Sequence, residues 1–84
     1  RLKIVEAWAV GTPVVSTTLG AEGLECEPGR DLWIADEPEA FAEKVIELLE
    51  NPCLARETGA NGRRRFEAAY TWRTAWDELA ACNL

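Results

Sequence analysis

The stretch Arg1-Leu2-Lys3-Ile4-Val5-Glu6-Ala7-Trp8-Ala9-Val10-Gly11-Thr12-Pro13-Val14-Val15-Ser16 decides the fold. From Leu2 to Val10 it is apolar apart from Lys3 and Glu6, the pattern of a helix buried on several sides rather than lying on a surface. Gly11 supplies a left-handed C-terminal cap, and Pro13 blocks any continuation. Pro13-Val14-Val15-Ser16 is β-branched and too apolar to alternate, as short strands inside parallel sheets are. Helix, tight turn and strand together are the αβ half of a βαβ unit, which places the chain in the α/β class.

Working outward, Thr17-Thr18-Leu19-Gly20-Ala21-Glu22-Gly23 follows the strand. Open α/β sheets place their ligand crevice beyond the carboxyl end of a strand, and small residues there permit close backbone approach. Leu24 to Cys26 and Leu32 to Ala35 read as two further short strands around a Glu27-Pro28-Gly29-Arg30-Asp31 turn, with Pro-Gly suited to type II geometry. Asp36 with Glu39 three residues later makes a capping-box pattern for a helix from Pro38 to Glu50, whose stripe is Phe41, Val45, Leu48 and Leu49. Asn51-Pro52 ends that helix and opens the next, from Cys53 to about Tyr70. Gly59 and Gly62 each cost about 1 kcal/mol in a helix interior, so that segment is either loosened or closely packed there. Thr71 caps a final helix bearing Trp72, Ala75, Trp76 and Leu79. The fold expectation is α/β, helix-rich at the C-terminal end.

The length of 84 residues allows one small domain, burying roughly 60% of its unfolded surface. Cys26, Cys53 and Cys82 are scattered and histidine is absent, so neither a disulfide framework nor a zinc site is expected, and free thiols point to a reducing, cytoplasmic location. No run approaches the roughly 20 apolar residues that span a bilayer, and the first residues lack a signal-peptide h-region. A formal charge of −6 argues against a nucleic-acid partner. Arg63-Arg64-Arg65 spread around a helix and read first as a solvated face, with peripheral membrane contact through the full-length protein left open. An uncapped apolar helix at Arg1 and the absence of methionine read as a fragment or processed product.

Among residues that carry chemistry, Glu6 stands out, because a carboxylate in a buried helix needs donors or a ligand. Spacing alone favours a salt link to Lys3, worth a few tenths of a kcal/mol. Arg1 and Lys3, near a helix start, equally suit an anion. No serine or cysteine has a base partner, and no Walker A or GxGxxG motif occurs. The acidic residues between Asp36 and Glu50 read as caps and solvated helix face.

The stretch from Arg1 on through Thr17-Thr18-Leu19-Gly20-Ala21-Glu22-Gly23-Leu24 closely resembles the C-terminal domain of group 1 glycosyltransferases of the GT-B fold, which read K-hydrophobic-hydrophobic-E-A-M-A-x-G-x-P-V-V-S-T at this point. The resemblance continues through Gly29-Arg30-Asp31-Leu32, Ile34-Ala35-Asp36, the Pro38 to Glu50 helix, Asn51-Pro52, Gly59 to Arg64 and Tyr70-Thr71-Trp72. It covers essentially the whole chain. Trp8 stands where the family usually has methionine, and Trp33 where a leucine is common; such enlargement typically costs about 1–3 kcal/mol unless neighbours adjust.

The resemblance implies that residues 1–84 are the C-terminal portion of a Rossmann-like sugar-nucleotide-binding domain, with the N-terminal acceptor domain absent. The implied reaction moves a glycosyl group, with retention, from a sugar nucleotide to a carbohydrate or lipid-linked acceptor, using no dissociable cofactor and generally no metal. By resemblance Glu6 takes the place of the second glutamate of the family's E-x7-E motif and accepts hydrogen bonds from ribose hydroxyls; the first would fall before Arg1. Arg1 would lie close to the diphosphate loop, and Lys3 completes the candidate set through its suitability for an anion. The fragment alone is expected to be inactive. The competing reading is a non-catalytic nucleotide-binding or protein-interaction module.

Overall fold

The computed structural model of the chain describes residues 2–69. Its elements run α1 (Leu2–Ala9), β1 (Val15–Ser16), β2 (Trp33–Ile34), α2 (Pro38–Glu50) and α3 (Pro52–Ala69). The two strands pair in parallel, with Val15 opposite Trp33 and Ser16 opposite Ile34. The Trp33 N–H donates to the Val14 carbonyl and the Ala35 N–H to the Ser16 carbonyl, each at 2.9 Å. Parallel strands need a long connection to return to the same edge. Residues 17–32 supply it as a series of turns with no helix.

The α1 terminus forms as its sequence predicts. Gly11 sits at φ +74°, its N–H bonds the Trp8 carbonyl at 3.0 Å, and the Thr12 N–H reaches the Ala7 carbonyl at 2.9 Å. These two bonds are those of a Schellman cap. Helix α2 begins and ends where expected, and the Asn51 side chain accepts the Leu54 N–H at 3.1 Å, capping α3. Phe41, Val45 and Leu48 of α2 face Pro13 and Val15 across a shallow apolar hollow of about 280 Å³, while Leu49 is 78% exposed.

The core gathers Ile4, Trp8, Ala21 and Leu32, with Val14, Leu24, Ile34 and Phe66 packed against it. Trp8 is fully buried, and its indole N–H donates to the Asp31 carbonyl at 2.9 Å. The room for this large ring comes from α3. A Cβ on Gly62 would collide with the Trp8 indole, and one on Gly59 would run into the Gly11 carbonyl oxygen. The two glycines therefore mark close packing and not a loosened helix, and Gly62 offsets the volume that Trp8 adds. Trp33 is also accommodated: its indole N–H donates to Thr58 Oγ1 at 3.1 Å, and Lys44 Nζ stands 4.0 Å from its ring centroid. That cation over the ring contributes about 0.5–1 kcal/mol at an exposed site.

Three expectations are corrected. Helix α1 is not wrapped on all sides: Leu2 is 71% and Val10 76% exposed, and with Glu6 they follow the i, i+4, i+8 spacing of a single helical face. Residues 24–26 form no strand. The Glu27 N–H that would extend a ladder donates instead to Asp31 Oδ1 at 2.8 Å, and Pro28 next to it has no N–H to give. The arginine run is not simply a solvated face. Arg65 Nε donates to the buried Asp31 Oδ2 at 3.0 Å, and its Nη2 lies 3.4 Å from Glu27. Arg63 caps the end of α1 through the Ala9 carbonyl at 2.7 Å, and Arg64 bonds Asn61 at 2.6 Å. A cation at a helix C-terminus satisfies an orphan carbonyl and meets the negative end of the dipole. The final helix expected from Thr71, with Trp72 and Trp76, lies outside the described residues, as do Cys82 and Arg1.

Candidate functional site

An open groove runs between α1 and the segment that leads through β1. One wall is Lys3, Ile4 and Ala7 of α1, the floor is residues 13–16 leading through β1, and Gly20 completes the lining. Its volume is about 410 Å³. The only charged side chain in this lining is Lys3. Ser16 is buried at the floor, its hydroxyl donating to the Thr17 carbonyl at 2.9 Å.

The loop that shapes the groove is held by hydroxyls and one carboxylate. Thr17 Oγ1 accepts the Gly20 N–H at 2.9 Å, which turns the chain back over the strand end. Gly20 has no room for a side chain: a Cβ there would press on Ser16 Oγ and Thr17 Oγ1. Thr18 then reaches across to Asp36. Its N–H donates to Oδ1 at 2.8 Å and its hydroxyl to Oδ2 at 2.7 Å. Those bonds, the hydroxyl's first, hold the Asp36 carboxyl below the usual carboxylate range.

Asp36 is therefore not the helix cap that its spacing from Glu39 predicts. Glu37 occupies the N-cap position of α2 and makes no side-chain capping bond. The carboxylate is drawn away because Thr18 offers it two donors at once, whereas a cap offers an N–H or two from its own first turn. The register explains the meeting. With Ser16 opposite Ile34, two more residues along each parallel strand bring 18 beside 36. A threonine two residues beyond one strand and an aspartate two beyond its neighbour is the signal that points to this pair, provided the pairing register is known.

The predicted site residues are partly assembled. Lys3 lines the groove; Glu6, one turn further along α1, is exposed and outside the lining. Exposure removes the need for a buried carboxylate to find donors, and among the described residues no ion pair joins Glu6 to Lys3. Arg1 is outside the described residues. The arrangement offers the Lys3 cation of α1 and the buried Ser16 hydroxyl of β1 in the groove, with the exposed Glu6 carboxylate one turn away on α1, which is equipment for holding a polar ligand. Away from the groove, burial and then the Asp31 charge push the Cys26 thiol up, with Arg65 opposing.

Comparison with known proteins gives this groove its context. Residues 1–81 match the family described as glycosyl transferase-like. The chain belongs to that family, among the group 1 glycosyltransferases. It is 32% identical over 76 residues to a GDP-mannose-dependent monoacylated alpha-(1-6)-phosphatidylinositol monomannoside mannosyltransferase of Corynebacterium glutamicum, covering 89% of this chain. Identity is 36% over 84 residues, or 95% of the chain, to the MMP alpha-(1->4)-mannosyltransferase of Mycolicibacterium hassiacum. A capsular polysaccharide biosynthesis glycosyltransferase of Staphylococcus aureus is 30% identical over 77 residues. The chain spans 20% of the length of each of these relatives. No solved structure matches the chain. Among the described residues no helix is long and apolar enough to cross a membrane.

Proposed function

We propose that residues 1–84 are the donor-side portion of a Rossmann-like domain in a cytoplasmic two-domain glycosyltransferase of the GT-B type. The protein moves a glycosyl group from a sugar nucleotide to a carbohydrate or lipid-linked acceptor, with retention of configuration. The observation that carries the reading is the groove between α1 and β1, lined by Lys3 of α1, in a chain of this family. Two of the relatives named above are mannosyltransferases, and one is named for GDP-mannose, which makes that nucleotide the first donor to test.

In this reading Lys3 faces the charged part of the donor. Glu6 takes the ribose, its carboxylate accepting a hydrogen bond from each of two neighbouring hydroxyls. The exposure of Glu6 supports that role, because a ligand can reach both oxygens without displacing a protein partner. Arg1 is assigned to the diphosphate by the family resemblance alone. The chain alone, without the residues that hold the acceptor, turns over nothing.

The test is calorimetric titration of the full-length protein with a panel of sugar nucleotides, GDP-mannose among them, followed by the same titration on Glu6→Ala. One member of the panel binds, and the substitution weakens it by about tenfold or more, well beyond the loss of a surface ion pair. A full-length protein that binds none of the panel is a non-catalytic module, and the reading is then lost. Unchanged affinity in Glu6→Ala removes that residue from the site while leaving the donor reading in place.

A further inference from the structure

The Thr18–Asp36 pair joins two segments that the backbone leaves independent. Residues 17–23 leave β1, and Asp36 follows β2, 18 positions along the chain. Between them runs the whole connection that closes the parallel pair. Within the loop, bonds such as Thr17 Oγ1 to Gly20 N–H and Ala21 N–H to the Thr17 carbonyl set its local turn. Ala21, buried in the core, anchors the later part of the loop but does not hold Thr18. The carboxylate of Asp36 does, because it takes both donors of a single residue and so restrains the orientation of Thr18 as well as its position. Two parallel bonds onto one carboxylate carry geometric specificity that a single bond lacks.

The loop thus fixed supplies Gly20, which lines the groove together with Lys3, Ile4 and Ala7 of α1. We propose that Asp36 is a positioning residue for the donor: it clasps Thr18 and thereby sets the width of the groove between Gly20 and α1. The proposal rests on the reading of that groove as the donor site. Asp36 is not among the residues that line the groove; it acts through Thr18. An exposed carboxylate held by two donors from another loop has no evident part in the core, where Trp8, Ile4 and Leu32 carry the packing. Its effect is therefore read in binding more than in folding.

The experiment uses the full-length protein and compares Asp36→Ala, Asp36→Asn and Thr18→Val with the parent. The readouts are donor KM and kcat, calorimetric donor affinity, and hydrogen exchange across residues 17–23. In Asp36→Ala exchange in the loop quickens, and KM rises by about tenfold, more than kcat falls, as expected for the loss of a charge-assisted bond. Asp36→Asn recovers most of the affinity, since the amide oxygen still accepts the Thr18 N–H and the amide NH2 can donate to the Thr18 hydroxyl oxygen. Thr18→Val, which keeps the N–H and loses the hydroxyl, falls between. If Asp36→Ala does not fold, the Asn and Thr18→Val variants decide the matter by the same ordering. A parent that binds its donor and variants that bind equally well overturn the proposal alone. A parent that binds no sugar nucleotide overturns the groove reading and this proposal with it.

Discussion

The indole of Trp8 occupies the space a side chain at Gly62 would need, 54 positions away in sequence and on a different helix. The pair sets the distance between α1 and α3, so the size of one residue is written into the smallness of the other.

Gly62→Ala is the direct probe of that pairing. Alanine favours a helix interior by about 1 kcal/mol over glycine, yet here its methyl meets the ring, and overpacking costs about 1–3 kcal/mol. The net expectation is a lowered melting temperature in the full-length protein. Combining it with Trp8→Met, the smaller residue common in the family, recovers part of the loss. A simple sum of the two single effects in the double-mutant cycle would contradict direct contact.

Arg65→Ala removes the partner of a carboxylate that is 3% exposed. Breaking a fully buried pair costs 3–5 kcal/mol, and the partial exposure of Arg65 together with the surviving Glu27 N–H bond reduces this to about 2–3 kcal/mol. Arg65→Lys rescues little, because one ammonium cannot reproduce the planar fork that serves Asp31 and Glu27. Denaturant midpoints of the three proteins check both expectations.

Acid should release the Thr18–Asp36 clasp, and only below the usual carboxylate range. The Asp36 carboxyl is held below its ordinary range by the Thr18 bonds. A carboxylate whose folded pKa is depressed stabilises the folded state above its unfolded pKa, and the contribution is lost as pH falls through the folded value. The Thr18 amide resonance should therefore titrate below the usual carboxylate range. In Asp36→Asn the titration disappears. Its persistence there would assign it to another carboxyl.

Cysteine labelling separates the two described thiols. Cys53 is exposed and Cys26 half-buried, with burial and Asp31 both holding its thiol protonated. Because the thiolate is the nucleophile, a neutral-pH alkylating reagent should modify Cys53 well before Cys26, as followed by peptide mass spectrometry. Equal rates would place Cys26 in a more open setting than the core provides.

What could be read in advance was whatever depends on neighbours in sequence. Gly11 with Pro13, Pro38 at a helix start and Asn51-Pro52 between helices each act within a few residues of themselves, and each element boundary fell where they stand. The readings that moved were those in which a distant group outbid a local one. Asp36 suits a cap until a threonine from the next strand end supplies two donors, and Arg65 suits solvent until Asp31 is seen to be buried beside it. Trp8 was legible as an enlargement, but its compensation at Gly62 depends on how α3 crosses α1. For the candidate groove, sequence singled out Lys3, which lines it, whereas the Asp36 tether required the strand register.

Helix α1 divides its duties along its length. Ile4 and Trp8 hold it to the body of the protein, while Lys3 and Glu6 stand on exposed positions that carry no packing. The chemistry presented to a ligand can therefore be rewritten at those two positions with the scaffold untouched. On the proposed donor reading, a small combinatorial library at Lys3 and Glu6, with Trp8 and Gly62 kept as they are, changes ligand binding and leaves the fold in place.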